Sequence, residues 1–210
     1  MEQRAEPARA AVVPGADPTL IRSRAPGQRR AAQVKKINPF AKDPVTGCLN
    51  YMALRPHLLD GDVLLFRPRG WLAHWRRLNG GAAEHLGLIA RWGDRVMVFE
   101  QTATGVNARL LSACLEDFSG SVELYKAKPS LKMSASQRQL ARAHLLSGLT
   151  ARPGWRERLA PEVDGVELAL AAYQCANLPL LPPEPDPEAT LSAARALVRA
   201  PQLARVGPLK

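Results

Sequence analysis

One histidine and one glutamate lie fifteen residues apart in a segment whose pattern brings them together. Glu84-His85-Leu86-Gly87-Leu88-Ile89-Ala90-Arg91 and Arg95-Val96-Met97-Val98-Phe99-Glu100-Gln101 are runs rich in branched and aromatic residues. They flank Gly93-Asp94, the composition of a two-residue type II′ hairpin loop. If Trp92 pairs with Arg95, Gly87 stands opposite Glu100 and His85 opposite Thr102. His85 and Glu100 then share a face as diagonal neighbours about 7–8 Å apart. Gly87 carries no side chain and leaves the imidazole and carboxylate room to meet. A carboxylate beside a half-buried imidazole orients the ring and raises its basicity, the arrangement of a general base. The same two residues also suit a structural hydrogen bond inside a sheet.

A nucleophile for that base has three thiol candidates, Cys48, Cys114 and Cys175. Cys114 falls in residues 107–118, whose pattern predicts an amphipathic helix, where a small buried residue is the simpler role. Cys48 lies in a turn before the first strand. Cys175 sits near the end of a helix that Pro179, Pro182 and Pro183 terminate, and the helix dipole there opposes thiolate formation. No C-x-x-C spacing supports a zinc site or disulfide framework. His57, His74, His85 and His144 show no H-E-x-x-H spacing, so no metal and no cofactor is expected.

Upstream, Leu58-Leu59-Asp60-Gly61-Asp62-Val63-Leu64-Leu65-Phe66 reads as a turn launching an apolar strand. The residues Leu58, Gly61, Asp62 and Phe66, followed by His85 and Gly87, then Phe99 and Glu100, form a series. With a late helix and a proline-rich stretch, this series resembles the permuted NlpC-type papain-like hydrolases, among them the YiiX/YebB-like and lecithin:retinol acyltransferase-like groups. The resemblance spans about residues 56–183. It implies an α+β fold, a small antiparallel sheet packed with helices in a circularly permuted papain-like arrangement. It also implies a cysteine thiolate attacking an amide or ester carbonyl, with His85 as base and then acid and Glu100 orienting it. The substrate would be a peptide, a peptidoglycan peptide or another acyl or amide compound held in a groove. Asp62, Gly87 and Glu167 would be carried over as groove residues.

In that family the nucleophile opens a late helix as C-S-E-[LF]. Glu167-Leu168 matches the E-L, which places Gly165 where the cysteine is expected. A looser Y-x-C match, Tyr173-Gln174-Cys175, selects Cys175 instead. Two further functions therefore stand beside hydrolysis. One is a catalytically degenerate relative serving as a structural or assembly component, as in a phage particle or secretion system. The other is a binder of nucleic acid or a membrane surface.

The second alternative comes from charge. The chain has 210 residues, 46% hydrophobic and 23% charged, enough for one core, and a formal net charge of +10. Residues 1–40 hold eight basic and three acidic residues, a net of +5, with five prolines and no periodicity. This reads as a disordered basic arm suited to nucleic acid, anionic lipid or an acidic protein surface. Residues 41–185 are expected to form the papain-like domain, and residues 186–210 a helix and a loose tail. Within the domain, helices are expected at residues 70–79 and 134–149, the latter with Leu140, His144 and Leu145 on its apolar face, and a strand at residues 121–126. No apolar run reaches the roughly 18 residues of a membrane span. No secretory leader is evident, so the expected location is cytoplasmic as synthesised, or a virion or site reached through a specialised delivery machine.

Overall fold

The computed structural model describes residues 38–70, 84–102, 104–131, 133–150, 164–178, 180 and 192–210. A short helix α1 (Tyr51–Leu54) is capped by Asn50, whose side chain accepts from the Met52 and Ala53 amides. Strand β1 (Val63–Pro68) follows, then the hairpin β2 (His85–Trp92) and β3 (Arg95–Thr102), and β4 (Gly105–Leu110). Helix α2 (Leu111–Asp117) leads to β5 (Gly120–Ala127), α3 (Ala135–Gly148) and α4 (Val166–Cys175). Helix α5 (Ala193–Leu197) and strand β6 (Leu203–Leu209) close the chain. The strands form one six-stranded sheet in the order β4-β3-β2-β1-β5-β6, every neighbouring pair antiparallel. The protein is therefore α+β, as the sequence predicts.

The central strands are apolar on both sides because both sides are covered. Leu86, Leu88 and Val63 face α3, α4 and α5, packing with Leu145, Ala169, Tyr173 and Leu197. Leu64, Phe66, Ile89 and Val98 face the other way, against Leu54 of α1 and Leu111 and Cys114 of α2. The hairpin has the predicted register, Trp92 opposite Arg95 and Gly87 opposite Glu100. Gly93 adopts φ +62° at the first loop position, as a type II′ turn requires. Helix α3 is closed at its start by a reciprocal cap between Ser134 and Gln137.

Three expectations are corrected. Residues 107–118 are not one helix: β4 runs to Leu110 and only then does α2 begin. Val106, Ala108 and Leu110 alternate with polar residues, and pairing with β3 decides in favour of strand. The C-terminus is not a loose tail but the edge strand β6, anchored by Leu203 and Leu209 in the two cores. Its Pro208 is tolerated there, where an edge strand can spare a ladder donor. On α3, Ala141 and Leu145 are buried, while Leu140 is exposed. Residues 71–79 of the helix predicted at 70–79, most of the basic arm, and residues 186–191 of the expected C-terminal helix and tail lie outside the described residues. Among the described residues, no helix is long and apolar enough to cross a membrane.

Candidate functional site

His85 opens β2 opposite Phe66 of β1. Its ring stacks on Phe66, centroids 4.7 Å apart and planes within 3°, and meets the Phe118 ring edge-on at 6.1 Å. Its Nε2 lies 2.8 Å from Glu100 Oε1. The diagonal pair closes to hydrogen-bond distance because residue 87 is glycine. A Cβ there would stand 2.6 Å from Val98 Cγ1 and 3.0 Å from Phe66 Cε2. The other carboxylate oxygen accepts from Arg109 Nε at 3.2 Å. Arg109 is hidden in the sequence by the helical pattern of its segment. As a strand residue two positions along from Asn107, which faces Glu100, it reaches the same side.

Burial pushes the Glu100 carboxyl up, but the His85 hydrogen bond and charge, together with Arg109, outweigh it and hold the group below its ordinary value of 4.5. When the imidazole is neutral, Nε2–H donating to an ionised Glu100 leaves the lone pair on Nδ1. The imidazole is thus oriented as a base at Nδ1, with 22% of its side chain open to solvent. Because the folded value is depressed, Glu100 contributes stability that is complete above about pH 4.5 and is lost as pH falls through the folded value. Urea unfolding of wild type and Glu100→Gln across pH 3–7 should show a stability gap that is widest near neutrality and narrows below about pH 4.5. A gap that stays constant with pH would contradict this assignment.

No thiol completes the pair, and all three cysteines lie among the described residues. Gly165, the position matched to the nucleophile, is the N-cap of α4 with φ +76°. The Leu86 amide donates to the Asp164 carbonyl at 2.7 Å, so the start of α4 is docked on the β2 backbone one residue beyond His85. A Cβ on Gly165 would run into the Leu86 carbonyl oxygen. His85 shares its face with Phe66 and Glu100, whereas α4 covers the opposite face through Leu86 and Leu88. Cys175 is exposed at the far end of α4, its Sγ 3.5 Å from His144 Nδ1 of α3. Cys114 is fully buried, and burial first, then the Glu100 charge, pushes its thiol up to about 11. Cys48 sits in the turn before Leu49, its thiol 3.5 Å from the Thr46 carbonyl.

The other matched residues are placed as follows. Asp62 is 2% exposed at the end of β1 remote from Phe66, held by Lys126 Nζ at 2.6 Å and the Leu59 amide at 2.9 Å. Burial raises its pKa against the pull of Lys126. Gly61, at φ +85°, offers its carbonyl to the buried Tyr173 hydroxyl at 2.8 Å, which ties the turn to α4. Gly87 lies beneath the His85–Glu100 contact, and Glu167 is exposed on the first turn of α4. Glu84, beside His85 in sequence, faces the opposite side of the sheet. There it accepts from Ser192 Oγ and from the Arg195 guanidinium, with Arg67 beside it.

Among the described residues, no three His, Cys, Asp or Glu side chains cluster as metal ligands. Both oxygens of Glu100 are engaged, one by a guanidinium that would repel a cation. These residues do not fit a metal.

No family model matches the chain, and no curated protein matches it. Among solved structures, the fold is similar to that of YiiX from Escherichia coli O157:H7, described as a metalloprotein and as DUF1105. The two are 16% identical with a TM-score of 0.50, over 70% of this chain and 96% of that one. The similarity is one of fold, and it coincides with the YiiX-like part of the resemblance read from the sequence.

Proposed function

We propose that this protein is a non-catalytic member of a hydrolase-like fold, a structural or assembly component that uses its surface to hold a partner. The observation that supports this reading is the absence of a thiol at an otherwise oriented base. His85 and Glu100 are paired with no thiol against them, and Gly165, at a left-handed φ of +76°, opens a helix that packs on the opposite face of the sheet. An acyl-enzyme needs a nucleophile within hydrogen-bond reach of its base. In this reading the His85–Glu100–Arg109 cluster fixes the edge of the sheet and the surface around it.

A second reading, cysteine hydrolysis through Cys175, rests on the 3.5 Å approach of its sulfur to His144. One experiment separates the two: the pH dependence of iodoacetamide alkylation at Cys48, Cys114 and Cys175, resolved by mass spectrometry, in wild type, His85→Ala and His144→Ala. The non-catalytic reading expects Cys175 to react as an exposed thiol with no advantage below about pH 7, and Cys114 to stay protected. Neither histidine variant should slow Cys175 more than about twofold. Fast alkylation below about pH 7 that is lost in His144→Ala would favour hydrolysis through Cys175. Loss in His85→Ala instead would restore the base assigned by the family resemblance.

A further inference from the structure

The face of the sheet opposite His85 carries a charged cleft that the proposed function does not use. It has a volume of about 500 Å³ and lies between β5, β6 and the segment after α5. Arg67, Lys128, Arg199 and Arg205 line it, and Glu123 is the acidic residue among its lining side chains. Four cations against one carboxylate leave a surplus of three positive charges. Glu123 is 4% exposed and already shared, accepting from Arg67 Nη1 at 2.9 Å, from Arg205 Nη2 at 2.8 Å and from the Tyr125 hydroxyl at 2.9 Å. Lys128 and Arg199 form no ion pair among the described residues. Arg67 Nε is shielded from solvent and has no hydrogen-bond partner among them; Glu84 Oε1, at 3.4 Å, is not aligned to accept from it.

Like charges gathered around a concave wall raise the local concentration of anions. Guanidinium forks match the oxygens of a phosphate, and lysine adds a mobile point charge. Not all of the lining is charged: Pro201 is exposed next to the cations. A volume of this size falls within the range of small-molecule sites.

We propose that this cleft binds a small organic phosphate, its phosphoryl oxygens among Arg67, Lys128, Arg199 and Arg205 and its organic part against Pro201. The site is separate from the His85 cluster and does not depend on whether that cluster is catalytic. Lys128 and Arg199 provide the test because neither holds the fold through an ion pair among the described residues.

Isothermal titration calorimetry of the full chain with phenyl phosphate at constant ionic strength, with inorganic phosphate as the second probe, measures it directly. Saturable binding of phenyl phosphate is expected, tighter than inorganic phosphate. Binding should weaken about tenfold or more in Lys128→Ala/Arg199→Ala, since the two cations supply charge-assisted contacts. A Lys35→Ala/Lys36→Ala variant, altered only in the basic arm, should bind as wild type does. Absence of saturable binding, or equal affinity in the cleft variant, would overturn the site. Equal affinity for the two probes would overturn the assignment of an organic ester. Loss of binding in the arm variant alone would overturn it in favour of the arm.

Discussion

Lys126→Met is expected to destabilise the fold by about 3–5 kcal/mol, the range seen when one partner of a buried ion pair is removed. Lys126 Nζ donates to Asp62 Oδ2 at 2.6 Å and to the His57 carbonyl at 2.8 Å, and the carboxylate it neutralises is 2% exposed. Arg138 stands 3.9 Å from the other oxygen and softens the loss, which places the effect toward the lower end of that range. Methionine keeps the aliphatic stem, so the change reports on charge rather than on a cavity. Burial already raises the Asp62 pKa above its ordinary 3.8. A carboxyl raised on folding destabilises when ionised: its penalty is absent below the unfolded value and complete above the folded one. Removing Lys126 raises the folded value further. The variant's deficit should therefore shrink as pH falls toward about 4, and Asp62→Asn in the same background should recover part of it at pH 7. Urea denaturation at pH 4 and pH 7 measures both. A deficit under about 1 kcal/mol at pH 7 would place this pair with solvent-screened surface bridges.

That pair also explains why the Leu58–Phe66 motif is legible as a motif and not as a location. Its glycine and aspartate organise the start of β1: Gly61 takes the φ of +85° that frees its carbonyl for Tyr173, and Asp62 accepts from Leu59 and Lys126. Sequence spacing shows that such residues are special but not which end of the strand they serve. The hairpin is legible to the residue, because period-two alternation and a Gly-Asp loop fix a register with one free choice. Arg109 is not, since its segment satisfies two periods at once and only pairing with β3 selects the strand. The strand β6 escapes the sequence for a related reason. Leu203-Ala204-Arg205-Val206-Gly207-Pro208-Leu209 has no strong β signal of its own, and its partners β5 and Leu49 lie far away in the chain. The ion-pair network from Arg195 through Glu84, Arg67 and Glu123 to Arg205 joins five positions spread over 138 residue numbers, from 67 to 205, and no local pattern announces it.

Placing a cysteine at residue 165, the position matched to the nucleophile by resemblance, should fail to give an activated thiol, and the failure should be structural. In Gly165→Cys the new Cβ meets the Leu86 carbonyl oxygen, and the residue must hold φ near +76° or break the docking of α4 on β2. A side chain in the left-handed region costs about 1–2 kcal/mol, and forcing packed backbone apart adds about 1–3 kcal/mol. The variant is therefore expected to be about 2–5 kcal/mol less stable than wild type. The hydrogen bond from the Leu86 amide to the Asp164 carbonyl should be the first to break. Gly165→Ala carries the same backbone penalty without the sulfur and should be destabilised to a similar extent. Hydrogen exchange at the Leu86 amide, followed in both variants beside their urea midpoints, tests the common cause: faster exchange at that amide should accompany the lower midpoint. The expected chemistry of Gly165→Cys is an ordinary thiol, with no alkylation advantage below about pH 7 and no dependence on His85. If Gly165→Cys keeps wild-type stability and gains a fast, His85-dependent thiol, the start of α4 accommodates a nucleophile after all. The proposed non-catalytic reading would then fall.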